Sequence, residues 1–189
     1  MLEGEEGQSD ADSWSVLLRA AGSDAVLVRY RAELGSAVTR EIVGEAEAGL
    51  WRRCIEFPEA LRARYQNAML VGVSIPIQAA GTVIQAAQQA AVDNNFVAAI
   101  LGRIGVGSLL VGLMPVAVDP PAVTQYTNAI SSFRGGLPPD GSATVLYCPR
   151  EAKRYFSVWG ATPSDLDSMR AVKRALDANN ILNRGRFLF

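Results

Sequence analysis

Histidine is absent from all 189 residues. That removes the commonest general base at neutral pH and the commonest metal ligand from anything the chain does unaided. Cysteine is nearly absent too. Cys54 and Cys148 stand far apart with no Cys-x-x-Cys pair, so neither a zinc site nor a dithiol redox motif is indicated, and both are read as buried free thiols. No charge of either sign dominates: 18 Lys and Arg balance 19 Asp and Glu, and a net charge of −1 supplies no field to draw in nucleic acid or anionic lipid. A basic, apolar leader is missing as well. Glu3, Glu5, Glu6, Asp10 and Asp12 make the first residues acidic, and the expectation is a cytoplasmic protein.

Long uninterrupted hydrophobic runs are also lacking. The nearest is Phe96 to Val118, close to the roughly 20 apolar residues that span a bilayer. Arg103 lies inside it, at a cost of about 2.5 to 3.5 kcal/mol near the centre of an inserted helix. Gly102, Gly105, Gly107 and Gly112 weaken a helix further, so a buried hairpin is expected.

What is present is the composition of a globular domain, 49% hydrophobic and 20% charged. Residues 1–13 read as a flexible acidic lead-in, and 14–189 as one domain. Alternation of Val26, Val28 and Tyr30 against Arg29, Arg31 and Glu33 predicts a strand over 25–34. A helix capped by Ser36 and carrying Val38, Ile42, Val43, Ala46 and Leu50 should follow, until Phe57-Pro58 interrupts it.

From there the pattern strengthens. Met69, Val71, Val73 and Ile75 alternate as a strand that ends at Pro76, and the alanine- and glutamine-rich stretch 78–92 predicts a helix. Segments 96–104 and 107–116 predict two strands joined by a glycine-bearing turn. Pro120-Pro121 open a helix that stops at Gly135-Gly136, and 143–148 form the closing strand. Strand-helix-strand-strand-helix-strand is the split β-α-β pattern of a ferredoxin-like α+β unit, with helices on one face of an antiparallel sheet. Gly102, Gly105 and Gly107 do not make a nucleotide loop, which would need a strand before it and a helix after it. A C-terminal helix is predicted from Thr162 as cap and Pro163 at the first position, with Leu166, Met169, Val172 and Leu176 packing inward and Arg170, Lys173 and Arg174 solvated.

The end of the chain carries more information. The helix with Met169, Arg170, Lys173 and Arg174 leads to Leu176-Asp177, then Ile181-Leu182 and Asn183-Arg184-Gly185-Arg186. This resembles the tail of FAD-linked oxidases of the vanillyl-alcohol-oxidase/p-cresol-methylhydroxylase family, where Leu-Asp-Pro is followed by an apolar turn and Asn-Pro-Gly-Arg or Asn-Pro-Gly-Lys. Ala178 and Arg184 replace the two family prolines. Trp51, the strand around Val71 to Val73, the strand around Val145 to Tyr147 and the stretch Tyr155 to Trp159 fall in the order seen in the C-terminal half of the FAD-binding subunit of glycolate oxidase. The resemblance runs from about residue 24 to the end.

The resemblance implies a cap, or substrate-side, domain acting on small 2-hydroxy acids, without the glycine-rich domain that holds the FAD phosphates. It places Asn183, Gly185 and Arg186 against the flavin, and Trp51, Tyr147, Arg150 and Trp159 around a substrate pocket with Arg150 facing a carboxylate. It implies no catalytic residue and no metal ligand within this chain. FAD would bind with a flavin-binding partner domain or subunit, and a histidine-bearing subunit would supply the proton acceptor. Alone the chain would be inactive. The rival expectation is a ferredoxin-like interaction or scaffold module without chemistry of its own, and an uncovered sheet face would permit a homodimer.

Overall fold

The computed structural model describes residues 14–117 and 119–185. The acidic lead-in therefore lies outside the described residues. Two compact units divide at Ala48/Gly49, within a helix.

The first unit holds helix α1, Asp24–Leu34, a 3₁₀ turn at Gly35–Ala37 and the start of α2, Glu45–Ile55. Here the expected strand is a helix. Asp24 sits in its first turn and Arg31 in its last, suiting the helix dipole, and Arg29 pairs with Glu33 one turn on at 3.0 Å. The alternating valines misled because α1 buries no residue, so no core selects a two-residue period. The helix expected from Ser36 begins only at Glu45, since Gly44 takes φ 67° and breaks any run through Val43. Arg31 and Glu41 form a bidentate pair, and Arg19 Nε lies 2.8 Å from Glu47 Oε1.

The second unit contains α3, Phe57–Arg64, with Pro58 in its first turn where a missing N–H costs nothing. Then come β1 (Met69–Ser74), α4 (Ala80–Val92), β2 (Phe96–Arg103), β3 (Ser108–Pro115), α5 (Val123–Gly135), β4 (Ser142–Tyr147) and α6 (Leu166–Leu176). The four strands form one antiparallel sheet in the order β2-β3-β1-β4. This is the α+β architecture expected from the split β-α-β pattern. The apolar run 96–118 becomes a hairpin, and no helix among the described residues is long and apolar enough to cross a membrane.

Strand periodicity sends Met69, Val71 and Val73, Leu109, Val111 and Leu113, and Ala143 and Val145 to one face. There they meet Val83, Ala87, Ala90 and Ala91 of α4 and Tyr126, Ala129, Ile130 and Phe133 of α5. Each fully buried Val, Leu, Ile or Phe contributes about 1.5–3 kcal/mol, so this layer dominates the stability of the unit. Phe96 and Tyr126 stack tilted at 5.2 Å, and the Tyr126 hydroxyl donates to Asn67 O at 2.7 Å. Burial pushes that phenol up to about 12. The two helices approach closely enough that a Cβ on Gly136 would stand 2.9 Å from Ala86 Cβ.

On the opposite face, Leu61 and Phe57 of α3 lie over Gly112, whose missing Cβ leaves them room. Leu70, Leu110, Met114 and Tyr147 complete a second, smaller cluster in which Leu61 is the single fully committed side chain from α3. The rest of that face is more open. Val97 and Leu146 are exposed, and Ser74 and Ser142 end it at the solvent.

Candidate functional site

Beyond β4 the chain makes a series of short, well-anchored turns. Cys148 is buried, as expected, and burial raises its thiol above the ordinary range, whereas Cys54 on α2 is only half-buried. Ala152 is buried against the same core, its N–H bonded to Pro149 O at 3.1 Å, and it opens a 3₁₀ turn, Ala152–Arg154. That turn carries Arg150, Glu151, Arg154 and Tyr155 outward. With Val123 at the start of α5 they line an open depression of about 250 Å³.

The next segment is held by Arg134 at the end of α5. Its Nε and Nη2 donate to Ala143 O at 3.1 and 2.8 Å, its Nη1 to Ser157 O at 2.7 Å, and its Nη2 also to Val158 O at 3.1 Å. The planar fork ties helix, strand and loop together, while burial pulls the guanidinium below its ordinary value. Val158 O also accepts from Val145 N at 2.7 Å, so residues 157–160 run along the outer edge of β4.

α6 begins at Leu166, three residues later than its proline suggested, because Pro163–Leu166 closes a turn first. Its apolar side does not pack inward. None of its residues is buried, and Val172 and Leu176 are 58% and 80% exposed, followed by Ile181 at 70% and Leu182 at 59%. Arg170 pairs with Asp167 at 3.2 Å. Lys173 is not the solvated charge expected from the sequence, since it donates both to the Asp177 carboxylate and to Leu182 O at 2.8 Å.

Asp177 organises the tail. It is the buried charged residue of the described chain, and its two oxygens accept from Ile181 N at 2.9 Å and Leu182 N at 3.0 Å. Sequence reasoning passed over it, although the four-residue spacing from Lys173 and the following Asn179-Asn180 are the signals of such a turn. The Lys173 ammonium holds the Asp177 carboxyl below the usual carboxylate range. Burial opposes this, and the two backbone N–H groups reinforce it. A depressed native value means that the turn is stabilised above the unfolded value of about 3.9 and loses that support as pH falls through the native one. Amide protons of Ile181 and Leu182 are therefore expected to be protected from exchange at pH 6, to begin losing that support near the unfolded value of about 3.9, and to lose protection fully only as the native carboxyl itself protonates at lower pH. In Asp177→Asn the protection should be weak at every pH. Protection that survives acid unchanged in the native chain would refute this role.

Past the turn, Asn180, Asn183 and Gly185 adopt φ values of 48°, 49° and 67°. A proline at 184 would drive the preceding residue toward extended conformations. With Arg184 in that place, Asn183 takes the left-handed one instead.

The seven residues expected to face flavin or substrate are distributed as follows. Asn183 and Gly185 are exposed on the tail, and Arg186 lies outside the described residues. Trp51 is half-buried on α2, and Trp159 is half-buried in the segment that Arg134 ties down. Tyr147 ends β4 on the α3 side, where its hydroxyl donates to Gln66 O at 2.9 Å and Arg62 lies 5.8 Å from its ring. Arg150 lines the depression beside α5, which none of the other six lines.

Residues 152–187 match the family FAD linked oxidases, C-terminal domain. That stretch takes in the Ala152–Arg154 turn, the segment under Arg134, α6 and the Asp177 turn, and it is the part of the chain similar to a flavoprotein component. No curated protein matches the chain.

Proposed function

We propose that the chain forms the cap, or substrate-side, part of a glycolate-oxidase-type FAD-linked oxidoreductase acting on small 2-hydroxy acids. The observation that carries this reading is that the family match falls on α6 and the tail that Asp177 and Lys173 hold in shape. Asn183 offers an amide that both donates and accepts, and with Gly185 it stands exposed in a left-handed turn, a donor set that suits the polar edge of an isoalloxazine ring. Arg186 follows directly and would meet an anionic oxygen.

The chemistry that FAD supplies when bound is acceptance of the hydride leaving the substrate α-carbon. The chain's own part is to exclude water and to shape the substrate pocket. Trp51, Tyr147 and Trp159 are assigned to its walls and Arg150 to the substrate carboxylate. Phosphate binding is assigned to a flavin-binding partner domain or subunit, because Gly102, Gly105 and Gly107 close a β-hairpin rather than a strand-to-helix loop. Removal of the hydroxyl proton is assigned to a histidine-bearing subunit, since this chain has no histidine.

A second reading, an interaction module without flavin chemistry, is favoured by one feature. Val172, Leu176, Ile181 and Leu182 are exposed together on α6 and its turn, which is the composition of a contact surface.

FAD titration followed by flavin fluorescence separates the two, with the purified chain alone and with a co-expressed flavin-binding subunit. The cap reading expects binding with the partner and no turnover of glycolate by the chain alone. No binding in either arm would reject it in favour of the contact module.

A further inference from the structure

We propose that the depression lined by Val123, Arg150, Glu151, Arg154 and Tyr155 is an oxyanion-binding site, taking a carboxylate or a phosphoryl group on a small molecule. The placement of charge carries the argument. Arg150 precedes the 3₁₀ turn Ala152–Arg154 and Arg154 ends it, and both line the same hollow, so two like charges share one small surface with a single carboxylate beside them. Neither makes an ion pair among the described residues, so both guanidinium groups remain available to an anion in the hollow they line. Glu151 is the single carboxylate in the lining and is likewise unpaired among the described residues.

The backbone beneath them is fixed. Buried Ala152, bonded to Pro149 O and accepting from Tyr155 N at 3.1 Å, pins the backbone that runs between the two arginines. Arg150, Arg154 and Tyr155 thus bring two planar forks and a phenol to the lining of a space of about 250 Å³, large enough for a small molecule bearing one anionic group. Glu151 limits the charge that the hollow accepts, which favours a single carboxylate or phosphoryl group over a polyanion. Arg154 and Tyr155 become ligand-binding residues, and Arg150 gains partners other than Trp51, Tyr147 and Trp159.

The inference does not rest on the flavin reading, because its test contains no flavin. Amide chemical shifts of the full chain are followed while sodium phosphate, or separately sodium glycolate, replaces chloride at constant ionic strength. Saturable shifts confined to Val123 and residues 150–155 are expected, with a dissociation constant on the order of 1 mM. Arg154→Gln and Arg150→Gln should each weaken binding about tenfold. Lys153→Gln, a change of the same charge on the same turn outside the lining, should leave it unaltered. Tighter binding of glycolate would identify a small carboxylate as the ligand, and tighter binding of phosphate a phosphoryl group. Shifts that fail to saturate with either ion, or a loss in Lys153→Gln equal to that in Arg154→Gln, would overturn the proposal. The three variants alter exposed side chains only, and an unchanged circular dichroism spectrum confirms that each is folded.

Discussion

Gly107→Ala is expected to destabilise the second unit by roughly 3–5 kcal/mol, the largest effect of a glycine-to-alanine change among the described glycines. Gly107 closes the β2–β3 hairpin at φ 62°, a conformation that an L side chain adopts only at a cost. Its carbonyl accepts from Ile75 N at 2.9 Å, drawing the end of β1 against the turn. A Cβ added there would lie 1.9 Å from Ile75 O, and backbone, unlike the tip of a long side chain, cannot swing aside. Urea denaturation should show a lower midpoint with an unchanged slope. As a control, Gly105→Ala, where nothing stands within 4 Å, should cost under about 1 kcal/mol. Similar losses in the two variants would mean that the contact with Ile75 is not the cause.

The second large effect is expected from Arg134→Met, at about 2–4 kcal/mol. Methionine keeps much of the aliphatic bulk but withdraws charge-assisted bonds from the carbonyls of Ala143, Ser157 and Val158. Arg134→Lys should recover less than half of the loss, because a point charge on a flexible stem cannot serve three carbonyls as a fork does. A local readout distinguishes this from general loosening. The Val145 amide, bonded to Val158 O at 2.7 Å, should lose exchange protection before the β1–β3 amides do. Uniform loss across the sheet would indicate that Arg134 merely fills space.

How far the sequence foretold this fold depends on whether a segment has a core to face. β1, β2, β3 and β4 are legible because alternate residues of each strand join the core cluster with α4 and α5, so burial enforces the two-residue period. α4 and α5 are legible for the same reason. Residues 25–34 are not, since α1 buries nothing and its stability comes from end charges and the Arg29–Glu33 pair, signals weaker than the alternation of Val26, Val28 and Tyr30. α3 went unread because eight residues that fully bury a single leucine leave little periodic trace. At the candidate site, the helix and the tail motif were readable from residue types. The roles of Asp177 and Arg134 were not, because both act on backbone groups, and a sequence does not say which carbonyl or N–H will lie within reach.

The plainest stretch of the chain has the least freedom to vary. Ala87, Ala90 and Ala91 of α4 are buried, and the Ala86 methyl faces Gly136 at the end of α5, leaving no room there for a second methyl. Alanine is elsewhere among the most replaceable of residues, but in this layer its smallness sets the spacing. A larger side chain at Ala87 or Ala90 would have to wedge α4 away from its neighbours, at about 1–3 kcal/mol. Arg134 rides on α5 two residues before Gly136, so that displacement would carry its guanidinium away from the loop at 157–160. Drift in the alanine-rich helix would thus be felt at a distance, in the segment most similar to a flavoprotein.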